Sequence, residues 1–254
     1  MDCSNDNFAK WDLLPMSFSK MNSFKNMPVN FIIDRIYGYK SETTPAMRTG
    51  NVVEKMLHDY MQGMDIQLNT YLEKFAEQFS EYYDQDDVVK YLKLIPEFYK
   101  QCEPLFNKLG NYKLHSYQEE IRTTIENIDF IGYTDFIFDG GDELFVYDLK
   151  TKKQMRKQKS DELQQWIYKK ALEEKYDKKV NCSLYIVTQK KHEEVDIVFT
   201  DEHEIEVCNI VKGMNKVLSL CDEKKDFAYL YQPDCDHWIW NETNIPYRKR
   251  IWGV

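Results

Sequence analysis

Glycine and proline are scarce, with 9 and 7 among 254 residues. That excludes a long Gly- or Pro-rich linker, and no internal repeat is visible. No apolar run approaches the ~20 residues that a membrane helix needs. Met1 to Lys10 is polar and lacks the apolar core of a signal peptide, so a cytoplasmic location is expected, with no membrane partner. The 6 cysteines, Cys3, Cys102, Cys182, Cys208, Cys221 and Cys235, form no CxxC pair and read as reduced and mostly structural. Positive charge is in deficit, 34 Lys+Arg against 43 Asp+Glu, for a net charge of −9. This argues against a protein that coats nucleic acid non-specifically, but leaves room for an enzyme with one local basic groove. The GxxxxGK[ST] loop of an ATP-driven motor is missing.

Apolar material is ample: 43% of the residues are hydrophobic, including 18 Tyr, 14 Phe and 5 Trp. The length suits one large domain, 1–254, or a domain with an insertion. Met21, Phe24, Phe31 and Ile32 recur at helical spacing over Ser17 to Ile36, with Pro28 expected to kink or divide the helix. A second helix is expected from Thr49 to Met64, opened by Gly50, with Val53, Leu57, Tyr60 and Met64 on one stripe. Two or three more helices fill about 65–110 as a helical insertion. The pattern then turns to strands at Lys113 to Arg122, Asp129 to Phe138 and Leu144 to Lys150. A helix from Asp161 to Tyr176, strands at Val180 to Val187 and Val195 to Thr200, and a helix from Asp201 to Cys221 follow. In that last helix Ile205, Cys208, Val211, Met214 and Leu218 are expected to face inward. This order gives an α/β fold with a mixed sheet covered by helices.

One hairpin stands out, "GYTDFIFDGGDELFVYDLKTKK" from Gly132 to Lys153. A turn centred on Gly140-Gly141 would pair Ile137 with Leu144, Asp135 with Val146 and Tyr133 with Asp148. Side chains alternate across a strand, so Asp135, Val146, Asp148 and Lys150 share one face. Asp135 and Asp148 become diagonal neighbours, about 5–7 Å apart at Cβ. Two carboxylates that close repel unless one is protonated or a cation lies between them. A hard divalent ion such as Mg²⁺ suits such an oxygen pair. The bland alternative is a surface hairpin with scattered charges.

Two helical pairs add to it. In "GNVVEKMLHDY", Glu54 and His58 are at i and i+4; in "DELQQWIYKKAL", so are Gln164 and Tyr168. Either pair alone would be an ordinary solvated face. Between strand and helix, "KTKKQMRKQKS" carries Lys152, Lys153, Arg156, Lys157 and Lys159. This run is a solvated loop or a phosphate-tracking rim. The aromatic tail at about 224–254 either stacks bases or packs against the body.

In this order the motifs resemble those of the PD-(D/E)xK nuclease superfamily, in its RecB-type and phage-exonuclease branches. The matching residues are Gly50…Glu54, Gly132-Tyr133-Thr134-Asp135, Asp148-Leu149-Lys150 and Gln164…Tyr168; "SFSKMNSFKNMPVNF" is similar to the family's opening helix. The resemblance spans about residues 17–200. It implies a restriction-endonuclease-like α/β fold, a mixed central sheet flanked by helices. It also implies a metal-dependent DNA nuclease, an exonuclease acting from ends in replication, recombination or repair, in a bacterial or viral setting. Asp135, Asp148, the Leu149 carbonyl and Glu54 would hold Mg²⁺ or Mn²⁺. His58 is either a further ligand, a supporting group or a packing residue. Lys150 would orient the attacking water, and Gln164 and Tyr168 would position the strand, with Lys152, Lys153, Arg156 and Lys157 as further contacts. DNA with frayed or single-stranded ends is the expected partner, with a helicase or recombination protein as a further one.

RecB-type members carry His where this chain has Glu54. Met27 stands where iron–sulfur members have Cys, and the tail offers only Cys221 and Cys235, so no iron–sulfur cluster is expected. Two alternatives are a non-catalytic nucleic-acid-binding or assembly protein that keeps the fold, and a structure-specific endonuclease.

Overall fold

A computed structural model of the chain describes residues 3–39, 44–80, 83–109, 112–234 and 245–254. Residues 235–244 of the aromatic tail, and 81, 82 and 110 of the expected insertion, lie outside the described residues. By internal contacts the chain forms two compact units. One comprises Met1–Glu42, Arg122–Gly132 and Thr200–Val254; the other comprises Thr43–Ile121 and Tyr133–Phe199.

The first unit is helical: α1 (Asn5–Ala9), α2 (Phe18–Asn26), α3 (Pro28–Phe31), a π-helical turn (Ile32–Ile36), and, after the sheet, α8 (Asp201–Leu220), α9 (Lys224–Leu230) and α10 (Ile245–Trp252). Pro28 divides the opening helix as expected: α2 ends at Asn26 and Pro28 restarts the chain at a first-turn position, where its missing N–H costs nothing. In α8 the buried stripe is Val207, Val211, Met214 and Leu218. Ile205 lies outside it at 58% exposure, contrary to the expected phase. Phe227 on α9 takes the edge of Trp11 at 4.8 Å.

The second unit carries α4 (Pro45–Met61), α5 (Leu68–Phe79), α6 (Gln85–Leu109), β3 (Glu143–Thr151), α7 (Lys159–Tyr176), β4 (Lys179–Val187) and β5 (His192–Asp196). Strands β1 (Lys113–Ile125) and β2 (Ile128–Asp139) supply residues to both units. The sheet order is β1-β2-β3-β4-β5, with β2–β3 antiparallel, β3–β4 parallel and β4–β5 antiparallel. A parallel neighbour needs a crossover, and α7 provides it. One face of the sheet buries Phe136, Phe138, Tyr147 and Tyr185 against Val53, Leu57, Phe75 and Phe98 of α4–α6. The other buries Ile137, Leu144 and Val146 against Tyr168, Ala171 and Leu172 of α7. Among the described residues no helix is long and apolar enough to cross a membrane.

Two boundaries and one helix face differ from expectation. β5 ends at Asp196 rather than running to Thr200, because Thr200 is recruited as the N-cap of α8 and pairs reciprocally with His203. Helix α4 begins at Pro45 with Thr44 as its cap, accepting from the Met47 N–H at 3.3 Å, so Gly50 sits inside the helix rather than opening it. Tyr60 and Met64 are 48% and 53% exposed, and the inward stripe is carried instead by Thr49, Val53, Met56 and Leu57.

Gly50 has a packing reason. A Cβ there would lie 2.9 Å from Thr151 Oγ1 on β3. A helical Gly→Ala change ordinarily gains about 1 kcal/mol, whereas overpacking costs roughly 1–3 kcal/mol. Gly50→Ala is therefore expected to destabilise by about 1 kcal/mol net. In a Thr151→Ala background the same change should stabilise instead. Denaturant unfolding of the four proteins measures this coupling; the same sign in both backgrounds would contradict it.

Candidate active site

The hairpin register is Phe136↔Tyr147, Ile137↔Val146, Phe138↔Phe145 and Asp139↔Leu144. This is two residues off the register expected from a two-residue turn. The loop takes residues 140–142, closed by a Gly140 N–H bond to the Glu143 carbonyl at 2.9 Å. The Asp139 carboxylate accepts from the Gly141 N–H at 2.9 Å, and Gly141 adopts φ +90. A slip of two preserves the faces. The next residues in this register are Asp135 and Asp148, now opposite rather than diagonal.

These carboxylates are embedded. Asp148 is only 2% exposed. The Leu149 backbone N–H donates to Asp135 Oδ2 at 2.8 Å, fixing that side chain across the two strands. Lys150 Nζ lies 2.6 Å from Asp148 Oδ2 and donates to Gln164 Oε1 at 3.1 Å. Gln164 Nε2 in turn donates to the Tyr168 hydroxyl at 2.7 Å. The i,i+4 pair on α7 is thus wired to the strand lysine. Burial, followed by the Asp148 and Glu54 charges, pushes the Asp135 carboxyl well above the usual carboxylate range. Burial also raises Asp148, opposed by Lys150. Burial pulls Lys150 down, but the Asp148 and Asp135 charges more than reverse this and hold it protonated. The Tyr168 hydroxyl is pushed up to about 12, chiefly by burial.

Glu54 projects from α4, buried, and accepts from Gln118 Nε2 at 3.0 Å. It also hydrogen-bonds the Tyr117 hydroxyl, while burial raises its carboxyl. Tyr117 and Gln118 are consecutive on β1, and Gln118 sits at φ +48, which lets two neighbouring side chains reach one carboxyl. Neither residue was among the sequence candidates. His58 stacks on the Tyr117 ring, 4.1 Å between centroids and 19° between planes. Its Nδ1 lies 3.2 Å from Asp59 Oδ1. Asp59 is held as well by Lys55 and by the Tyr71 hydroxyl at 2.7 Å.

The basic loop divides. Lys152 Nζ is bound to Asp161 at 2.6 Å and to the Arg156 carbonyl at 3.1 Å, fastening the loop to the N-terminal turn of α7. Lys157 pairs with Glu162 at 2.6 Å. Lys153 and Arg156 are exposed. The Leu149 side chain packs on the α4–α6 side of the sheet.

Among the described residues no three His, Cys, Asp or Glu groups already converge in a metal-holding arrangement, and Lys150 stands against Asp148. On charge, however, the donor set fits a hard divalent cation. The Asp148 charge raises both Glu54 and Asp135, and the Lys150 ammonium opposes the rise at all three carboxyls. Buried negative charge left uncompensated is costly, and all-oxygen donors suit Mg²⁺ or Mn²⁺.

A family model for the PD-(D/E)XK nuclease superfamily matches residues 15–237. The chain belongs to that superfamily. Members are hydrolytic nucleases, which makes nucleic acid the substrate class, and they generally use divalent metal ions such as Mg²⁺ or Mn²⁺. Among solved structures, a protein from Eubacterium rectale, provisionally described as an exonuclease, is similar at a TM-score of 0.54 and 14% identity. That match covers 93% of this chain and 92% of the other. SSO0001 is similar at a TM-score of 0.35 and 13% identity, over 74% of this chain and 96% of that one. At these identities the first likeness speaks for the restriction-endonuclease-like fold alone, and the second carries no argument. No curated protein matches significantly.

Proposed function

We propose that this superfamily member is a Mg²⁺- or Mn²⁺-dependent deoxyribonuclease that removes nucleotides from DNA ends. The observation that carries the reading is the continuous array Asp135, Asp148, Lys150, Gln164 and Tyr168 on one face of the sheet and its covering helix. Asp135, Asp148, Glu54 and the Leu149 carbonyl are the groups that would hold the ion. A bound divalent cation supplies a lowered water pKa and charge neutralisation at phosphate. Lys150, protonated at neutral pH, directs an N–H at the attacking water and at charge building on the phosphorus oxygens. Gln164 fixes the Lys150 ammonium, and Tyr168 fixes Gln164. Tyr117 and Gln118 hold the Glu54 carboxyl, and His58 supports Tyr117 rather than binding the ion itself. Lys153 and Arg156 are the rim cations available to a phosphate. Lys152 and Lys157 shape the loop.

Strand degradation from ends fits the RecB-type and phage-exonuclease resemblance, and the description of the Eubacterium rectale protein agrees with it. Single-stranded or frayed ends are the favoured substrate, because a net charge of −9 opposes the many phosphate contacts of extended duplex binding. Without a motor loop, strand separation falls to a helicase or recombination partner. The test compares covalently closed single-stranded circles with linear strands of the same sequence, in Mg²⁺ and in Mn²⁺. Linear strands should be degraded and circles spared. Equal initial rates would make the enzyme an endonuclease.

A further inference from the structure

A second polar site lies on the helix that carries Glu54. Between α4 and α5 there is an open cleft of about 770 Å³, walled by Arg48, Asn51 and Lys55 on one side and by Thr70, Tyr71 and Lys74 on the other. Its apolar floor includes Val52 and Phe75. Lys55 directly follows Glu54, and Asn51 follows Gly50, so the cleft begins on the neighbouring face of α4. The cleft therefore adjoins Glu54 along α4, on the side of the sheet that α4 covers.

The charges in the cleft are not all spent. Asp59 is already matched by Lys55, with the Tyr71 hydroxyl on its other oxygen. Asp65 is held by Gln67. The Arg48 guanidinium lies 4.8 Å over the buried Phe79 ring. Lys74 is exposed on α5. Three cations against two carboxylates make a locally positive cleft in a chain of net charge −9. The volume is that of a site enclosing one small-molecule-sized group. It is far short of a duplex, whose major groove alone is ~12 Å wide.

We propose that the α4–α5 cleft is a single-strand subsite: Arg48 and Lys74 take backbone phosphates, while a base lies against Tyr71 and the apolar floor. This rests on the nucleic-acid substrate proposed above and gives the strand a path on the Glu54 side of the site. It assigns α5, at the start of the helical insertion, a part in substrate binding.

The test measures binding without turnover. Fluorescence anisotropy of a short labelled oligothymidylate is followed in EDTA across a salt series, for the unaltered protein, Lys74→Gln and Arg48→Gln/Lys74→Gln. Each lost phosphate contact should reduce the slope of log K against log salt by about 0.7. The double variant should lose about 1.4 in slope and roughly 25-fold in affinity at 0.1 M salt. The exposed Lys74→Gln change should give about half the slope effect, and it guards against a packing defect caused by losing Arg48. An unchanged slope in both folded variants would overturn the subsite, as would equal affinity and slope for a duplex of the same length. If the unaltered protein binds no strand in EDTA, the subsite falls, while the nuclease reading is decided separately by cleavage with Mn²⁺ or Mg²⁺. A protein that binds through these cations but cleaves nothing would sink the catalytic reading alone.

Discussion

Lys150→Ala is expected to lower DNA cleavage by at least about 10²–10³-fold, the scale on which removing one preorganised donor to a developing oxyanion acts, while the fold persists. Its ammonium is 2.6 Å from Asp148 Oδ2 and 3.1 Å from Gln164 Oε1, and the neighbouring carboxylates keep it protonated. Without it, Asp148 and Asp135 lose the ammonium that opposes the rise of both carboxyls. Both carboxyls already favour their protons, so the cluster can shed charge by protonation instead of unfolding. The variant should therefore melt cooperatively yet turn over negligibly, and Asp148→Ala should behave likewise. Lys150→Arg should not restore activity, since a planar fork does not replace a compact ammonium. End-labelled digestion beside a thermal melt reads both quantities. Near-normal turnover in a folded Lys150→Ala protein would remove the lysine from the mechanism.

Asp135→Asn is expected to abolish cleavage while making the metal-free protein more stable. Burial and the Asp148 and Glu54 charges raise the Asp135 carboxyl. The folded state then holds a proton more tightly than the unfolded chain, whose carboxyl titrates near 4. Stability falls as pH rises through the window above that value, and the cost is fully present once Asp135 is ionised. Asparagine carries no such charge, and its amide oxygen can still accept the Leu149 N–H. A gain of roughly 2–6 °C in Tm at neutral pH, the range of a typical stabilising change, should vanish in acid. Saturating Mn²⁺ should reverse the order, because binding to the native state stabilises by about 2.7 kcal/mol at a hundredfold excess over Kd. Differential scanning fluorimetry across pH, with and without Mn²⁺, measures this. A Tm unchanged by the substitution at every pH would contradict the strained carboxylate cluster.

The hairpin's shared face was legible because alternation survives an even slip. The expected register was two residues out, yet Asp135, Asp148 and Lys150 still shared a face. The Gln164–Tyr168 pair was legible for a similar reason, since i,i+4 spacing is independent of where α7 begins. Element ends were less legible. Thr44-Pro45 is a helix-start signal that the apolar stripe from Thr49 obscured, and Gly50 read as an opener when its role is close approach to Thr151. The strand expected at Val195 to Thr200 was apolar enough, but a capping box claimed its last residue. Tyr117 and Gln118 could not have been found from spacing. A left-handed glutamine within a strand has no compositional signature, and their partner Glu54 is 64 residues away from Gln118. The split of Lys152 from Lys153 and Arg156 likewise depends on where Asp161 falls in three dimensions.

The central claim is that the Asp135–Asp148–Lys150 cluster hydrolyses DNA with a divalent ion. One gel decides it most directly: end-labelled linear single-stranded DNA incubated with the unaltered protein and Mn²⁺, with the unaltered protein and EDTA, and with Lys150→Ala and Mn²⁺. The account predicts products in the first reaction alone. Cleavage that persists in EDTA, or at an equal rate in the Lys150→Ala protein, would contradict it, as would DNA left intact by the unaltered protein both in Mn²⁺ and in Mg²⁺.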